Sequence, residues 1–165
     1  MLDLGQVTDI TYIHTIKDGW CYLSSIQDIH SKKIIAWSFG ERMTTDLVLD
    51  TLDKVVQTQQ VTKDLILHSD LGSQYTSESY ETRLNELKIR HSFSGKGCPY
   101  DNAGIESFHA TLKKEEVYQT SYQTVEEASR KLFQYIEGFY NRKRIHGSID
   151  YLTPQEMEDR AKQIA

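Results

Sequence analysis

DLILHSDLGSQYTS, residues 64–77, joins a short apolar run to a glycine-containing turn, with an acid, Asp70, at the junction. The run DLILH (64–68) is brief and nearly continuous in apolar character, as expected of a strand covered on both faces. A carboxylate at the end of such a strand needs a reason. In open α/β sheets, ligands gather at the carboxyl ends of the strands, so the position itself suggests a site.

The segments on either side give the strand its setting. VTDITYIH (7–14) alternates and is rich in β-formers, which predicts a first strand. KDGW (17–20) reads as a hairpin turn into a second strand, WCYLSSIQD (20–28), and KKIIAWSF (32–39) reads as a third. From Thr44 to Val56 the apolar residues Leu47, Val48, Leu52, Val55 and Val56 recur at helical spacing. Tyr80, Leu84 and Leu87 mark another helix, and KIRHSF (88–93) a fifth strand. GKGCPYDNAG (95–104) reads as an irregular, mobile loop. A helix is expected from Ala103 to Glu116. A capping box, Thr124 with Glu127, opens a long helix whose stripe is Val125, Ala128, Leu132, Tyr135, Ile136 and Phe139. TPQE (153–156) opens the last helix.

Three strands joined by short turns must be antiparallel, and strands reached through helices add in parallel. The fold class is therefore α/β: a mixed five-stranded sheet flanked by helices on both faces. The 165 residues suffice for one domain with a real core, and no linker divides residues 1–165. Hydrophobic content of 38% and charged content of 26% are those of a globular protein. No apolar run approaches the ~20 residues that cross a bilayer, so no membrane partner is expected. Nothing near Met1 has the pattern of a signal peptide, which predicts a cytoplasmic protein. Cys21 and Cys98 fit no metal or redox spacing and read as reduced thiols. The net charge of −5 argues mildly against a nucleic-acid partner, unless the basic groups are clustered.

Two further acids join Asp70. Asp9 interrupts the first strand, where aspartate is disfavoured. If the fourth strand pairs beside the first, the two can face each other across the ladder. In AGIESFHATLKKE, Ile105, Phe108 and Leu112 form an apolar stripe, with Glu106 and Lys113 one position round from it. Seven residues is nearly two turns, so Glu106 and Lys113 share one edge, ~10 Å apart along the axis, with His109 near it. Each acid alone has an ordinary reading: Asp9 as a bonded structural acid, Asp70 as a cap, Glu106 as a first-turn helix acid. Together they would repel unless a cation sat between them. Oxygen ligands suit Mg²⁺ or Mn²⁺ rather than zinc. Three acids and one phosphodiester balance two divalent ions, as in two-metal phosphoryl transfer.

Thirty-five residues separate Asp70 from Glu106, and a basic residue follows seven after Glu106. This order resembles the retroviral integrase superfamily. TDITYI, HSDLGSQYTS, DNAGIESFHATLK and YNRKRIHGSIDYLTPQE together resemble the second-frame transposases of bacterial insertion sequences of the copy-out, paste-in family, over residues 7 to 157. The resemblance implies a ribonuclease-H-like fold. It implies that Asp9, Asp70 and Glu106 are the catalytic and metal-binding triad, and that Lys113 contacts DNA. It implies metal-dependent DNA cleavage and strand transfer, with double-stranded DNA (element ends and target) as partner. A homo-oligomer acting at the nucleoid is implied as well, with two Mg²⁺ or Mn²⁺ ions as cofactor and no small-molecule cofactor. The pattern departs at Leu71, where a basic residue usually follows the second acid. The first strand starts so close to Met1 that the usual N-terminal DNA-binding domain is expected to be absent.

Lys113 with Lys114 reads as a solvated helix face or a DNA contact. Arg142, Lys143 and Arg144 form the strongest basic run and read as a phosphate patch, which answers the charge objection. Gln74, Tyr75 and Asn102 could line the site or hold turns. His68 and His109 read as supporting or structural, since no zinc motif accompanies them. Two alternatives stay open: a Mg²⁺-dependent nuclease without strand transfer, and a catalytically silent DNA-binding or assembly module from a decayed element.

Overall fold

The structure is a computed structural model that describes residues 5–59, 64–93 and 102–164. Most of the loop 94–104, including Cys98, lies outside the described residues. Five strands form one sheet: β1 (Gly5–Thr15), β2 (Gly19–Asp28), β3 (Ile34–Gly40), β4 (Ile66–Ser69) and β5 (Arg90–Phe93), in the order β3-β2-β1-β4-β5. β1 and β2 pair antiparallel, as do β2 and β3, while β4 adds parallel to β1 and β5 parallel to β4. The mixed sheet expected from the connection lengths is the sheet observed.

Side-chain alternation along β1 sorts the molecule into two cores. On one face, helices α1 (Thr45–Thr58) and α2 (Glu78–Leu87) pack through Val48, Leu52, Val55, Tyr80 and Leu84 against Ile26 and Leu67. On the other, α3 (Ala103–Glu115) and α4 (Val125–Phe133) pack through Phe108, Leu112, Ala128 and Leu132 against Ile13 and Leu23. Asp9 shares its side of β1 with Ile13, so it points toward the α3 face.

The long helix departs from its expected stripe. Residues Gln134–Tyr140 form a π-helical stretch after α4, with Asn141 N–H donating to the Ile136 carbonyl five residues back. The wider turn rotates the buried face. Tyr140 takes the buried position, while Phe139, assigned to the stripe by an ordinary helical period, is 41% exposed, and Val125 is only half-buried. The capping boxes form at the expected places. Thr124 Oγ1 accepts from Glu127 N–H, and Thr153 Oγ1 accepts from Glu156 N–H while Glu156 Oε2 accepts from Thr153 N–H. The second box opens α5 (Pro154–Ile164).

Asn141 buckles the C-terminal half to the sheet. Its Oδ1 accepts from Ile34 N–H and its Nδ2 donates to Ile34 O, both at 2.9 Å and both buried. Asn141→Ala leaves both backbone groups of Ile34 without partners. A loss of about 2–4 kcal/mol is expected in urea unfolding, with Asn141→Asp intermediate because it keeps the acceptor. A change within 0.5 kcal/mol for Asn141→Ala, measured the same way, would show that the buckle carries no stability.

Candidate active site on the central strand pair

β1 lies at the centre of the sheet, and its partner β4 is only four residues long. Their register pairs Gly5 with Ile66, Gln6 with Leu67 and Val7 with His68. Two residues further along each strand, the same register brings Asp9 opposite Asp70. Residues paired across parallel strands project to the same side, so both carboxylates belong to the α3 face.

Asp9 is half-buried in the middle of β1, paired with Ser25 across the β2 ladder. Its carboxyl pKa is raised to about 6. Burial is the largest cause, and the negative charges of Asp70 and Glu106 add to it, against a lowering hydrogen bond from the Ile10 backbone. Thus the three acids share one electrostatic neighbourhood. Among the described residues, no three His, Cys, Asp or Glu side chains stand close enough to form a ready-made metal cage. The carboxylates are within range to repel, and closing on a shared ion requires side-chain movement.

Asp70 directly follows β4, and its Oδ1 accepts from Gly72 N–H at 2.7 Å. A Cβ at Gly72 would lie 2.9 Å from that same oxygen and 3.2 Å from Gln74 Oε1. The glycine therefore makes room for the carboxylate of Asp70 itself. Tyr75, a candidate for the site in sequence, is instead buried in the core, its hydroxyl 3.4 Å from Thr8 Oγ1. It holds the turn.

A supporting chain behind Asp70 was not legible in sequence. Ser69 Oγ donates to the Asp70 carbonyl at 2.9 Å and lies 2.7 Å from His91 Nε2, while His91 Nδ1 lies 2.5 Å from Glu81 Oε1. Ser69 is fully buried, so this Ser–His–Glu series cannot present a nucleophile. It fixes the backbone from which Asp70 projects. The only sequence signal was a histidine within the short strand KIRHSF. His68, by contrast, sits on β4 with its Nδ1 3.0 Å from Ser92 Oγ.

Glu106 is exposed in the first turn of α3. The helix docks through Ile105, Phe108 and Leu112, as its apolar spacing predicts. His109 joins this buried side: its Nδ1 is 4.0 Å from Asp9 Oδ2, too far for a hydrogen bond. Burial, aided by the charge of Lys113, lowers its pKa to about 4, so the imidazole is neutral at pH 7 and forms no ion pair with Asp9.

The basic candidates separate into two kinds. Lys113 is half-buried, and Lys114, Arg142 and Lys143 are exposed. Arg144 is committed within the fold: its Nε and Nη2 donate to the Glu115 carboxylate at 3.0–3.1 Å, and Tyr135 Oη donates to the same group at 2.7 Å. Its guanidinium is tied to a carboxylate, unlike its two neighbours in the run.

Two segments of the chain match models described as integrase core domains, residues 6–99 and residues 87–154. The transposase for insertion sequence element IS904 of Lactococcus lactis subsp. lactis (strain IL1403) is 43% identical over 150 residues, covering 91% of this chain and 59% of that protein. Transposase InsF for insertion sequence IS3A of Escherichia coli (strain K12) is 38% identical over 152 residues, covering 92% and 52%. The chain thus spans about half the length of these curated relatives. The crystal structure of the catalytic core domain of BIV integrase superposes with a TM-score of 0.69 at 23% identity, over 98% of both chains. That likeness shows the ribonuclease-H-like fold. With matching models over both halves and relatives above one-third identity, the chain belongs to the integrase core family, among the insertion-sequence transposases.

Proposed function

We propose that this chain is the catalytic core of a DNA transposase, and that Asp9, Asp70 and Glu106 are its catalytic carboxylates. The observation that carries the reading is geometric: the β1–β4 register sets Asp9 opposite Asp70 on the face where α3 carries Glu106, and the raised pKa of Asp9, due to burial and to those two acids, agrees with it. A fold does not keep three uncompensated carboxylates in one neighbourhood for stability. The integrase core family is divalent-metal dependent, and the donor set here, all carboxylate oxygen, fits hard ions of the Mg²⁺ or Mn²⁺ class. Asp9, Asp70 and Glu106 would hold them, two ions by charge balance. Such ions supply Lewis-acid activation of the attacking and leaving oxygens of a phosphodiester.

The residues of the chain contribute position. Asp9 is fixed by the central strand, and Asp70 by the Gly72 N–H and the Ser69 chain. Glu106 stands on the exposed edge of α3 and approaches from the solvent side. Lys113 and Lys114, with Arg142 and Lys143, contact phosphates of the duplex; Arg144 instead holds Glu115. Water attacks a phosphodiester at the element end and exposes a 3′-hydroxyl. That hydroxyl then attacks a second phosphodiester in the target, with no covalent protein–DNA link. The family acts on DNA and assembles into oligomers, and we extend both properties to this chain as a homo-oligomer on element ends.

The deciding assay is Mg²⁺-dependent nicking and joining of a labelled duplex bearing an element end. Asp70→Asn is expected to lower product formation at least about a hundredfold. Equal activity in Asp70→Asn would remove the assignment, and nicked products that are never joined would reduce the function to that of a nuclease.

The raised pKa of Asp9 makes a stability prediction with a definite sign. The folded state holds the proton more tightly than the unfolded chain, so stability falls as pH rises from about 4 to about 6 and stays reduced above that. The deficit is at most about 3 kcal/mol at neutral pH. Asp9→Asn is therefore expected to melt higher than wild type at pH 7, and to match it below pH 4. Added Mg²⁺ raises the wild-type Tm by binding the folded state alone, and does so less in Asp9→Asn. The same metal-induced shift in both proteins would contradict the shared site.

Ser69→Ala tests the support behind Asp70. The Mg²⁺ concentration for half-maximal nicking is expected to rise about tenfold, as when other outer-shell partners are removed. An unchanged metal dependence would make the serine a purely structural residue.

A further inference from the structure

A cavity of about 380 Å³ lies on the other flank of α3, separated from the Glu106–Lys113 edge by the helix's docking stripe. Gly104, Ser107 and Thr111, at i, i+3 and i+7, form the wall on α3. Gln27, Lys32, Tyr140, Arg144 and His146 close the remaining sides. Among the lining residues no carboxylate appears, and the size is within the range of small-ligand sites.

Two buried polar atoms of the lining residues have no hydrogen-bond partner among the described residues. Gln27 is 1% exposed, and its Nε2 is bound to Lys32 O at 3.1 Å and to Tyr140 Oη at 3.3 Å. Those two bonds fix the amide, leaving Oε1 aimed at Gly104 with no hydrogen-bond partner among the described residues. A buried carbonyl left unpaired costs about 1–3 kcal/mol, so its retention needs a cause. His146 Nε2 is buried and likewise has no partner among the described residues. Gly104 keeps the mouth open: a Cβ there would lie 3.1 Å from Gln27 Oε1 and 3.7 Å from Lys32 Nζ.

The charge in the cavity is positive. Lys32 adopts a left-handed backbone, φ 67°, held by its N–H to the Asp28 carbonyl at 2.9 Å, and this conformation brings its ammonium over Gly104. The His146 pKa is lowered by burial and then by the charges of Arg144 and Lys32, with Glu115 opposing. The N-terminus of α3 lies beside the cavity and has no side-chain cap among the described residues, and the first N–H groups of a helix suit an anion.

We propose that this cavity is a nucleotide site: it takes a phosphate against Lys32, His146 and the first turn of α3, and a neighbouring ligand N–H or O–H on Gln27 Oε1. The phosphate belongs either to a DNA strand or to a free nucleotide; the chemistry recognised is the same. The site does not depend on the carboxylate assignment, because none of its residues belongs to the acid cluster.

The test follows the His146 ring resonances by NMR in the full chain, with EDTA present so that no metal contributes. The probes are 2′-deoxyadenosine 5′-monophosphate, inorganic phosphate, deoxyadenosine and a short duplex. The mononucleotide, the duplex or both are expected to shift His146 saturably and to raise its pKa, while deoxyadenosine does not. A response to the duplex alone assigns the site to a DNA backbone, and a response to the mononucleotide assigns it to a free nucleotide. Lys32→Gln and Gly104→Ala are each expected to weaken binding at least tenfold. Asp70→Asn is expected to bind as wild type does, which keeps this result separate from the cleavage assay. No response of His146 to either nucleotide probe, a response to inorganic phosphate alone, or undiminished binding in both cavity variants would overturn the proposal.

Discussion

The parallel pairing of β1 with β4 is the constraint on which the rest depends. It rests on only three paired residues, Gly5 to Val7 against Ile66 to His68. Because side chains alternate, a slip of one residue would turn Asp70 to the opposite face of the sheet from Asp9. The register is therefore defended from the side away from the acids. Leu67 is locked into the core with Tyr80 and Leu84, and Ser69 is bound through His91 to α2 by way of Glu81. The helices of one face hold the strands in register, and the acids emerge on the other. This division lets the face with the acids carry repulsion without endangering the pairing.

Helix α3 shows how one element serves three purposes. Its apolar stripe docks it on β1 and β2. One flank presents Glu106 and Lys113, and the other faces the cavity by Gly104. The core supplies most of the energy that holds the helix in place, and Glu115 at its C-terminal end adds the bonds it accepts from Arg144 and Tyr135. Phe108 and Leu112, both almost wholly buried, are the core groups of the helix. Burial of the two side chains contributes about 3–6 kcal/mol. That exceeds the destabilisation of at most about 3 kcal/mol from Asp9 at neutral pH, so the protein can tolerate a carboxylate that costs it stability.

The parts of this fold that were legible in sequence are those set by local rules. Strand alternation, the Thr124 and Thr153 capping boxes, and connection length specified the elements and the mixed sheet. The pairing of Asp9 with Asp70 followed from topology once β4 was taken as the neighbour of β1. The misread features depend on contacts distant in the chain. Phe139 fits a 3.6-residue period, but the π-helical stretch alters that period, and nothing in QYIEGFY announces it. His109 looks polar and lies at the margin of the exposed edge by spacing alone. Its burial is decided by where β1 meets α3. The Glu81–His91–Ser69 chain joins three elements, each ordinary by itself. The turn after Asp70 was legible as glycine-containing, but that Gly72 is needed because a Cβ there would meet Asp70 Oδ1 emerges only in three dimensions.

The basic run at 142–144 shows why charge counting over a sequence window misleads. Three consecutive cations invite a single reading, and the turn that follows the π-helical stretch divides them. Asn141 is turned inward to hold Ile34, which fixes the orientation of every residue that follows. Arg142 and Lys143 then face water, while Arg144 swings back to Glu115 at the end of α3. Glu115 in turn accepts from Tyr135, within the π-helical stretch. The bidentate pair closes a loop of contacts from α3 through Tyr135 to the segment that follows it, and the pairing keeps Glu115 from neutralising the exposed cations nearby. A net charge of −5 is thereby compatible with a phosphate-binding surface. The acids are consumed in caps and internal pairs, as Glu127, Glu156 and Glu115 illustrate, and Arg142 and Lys143 remain open to solvent.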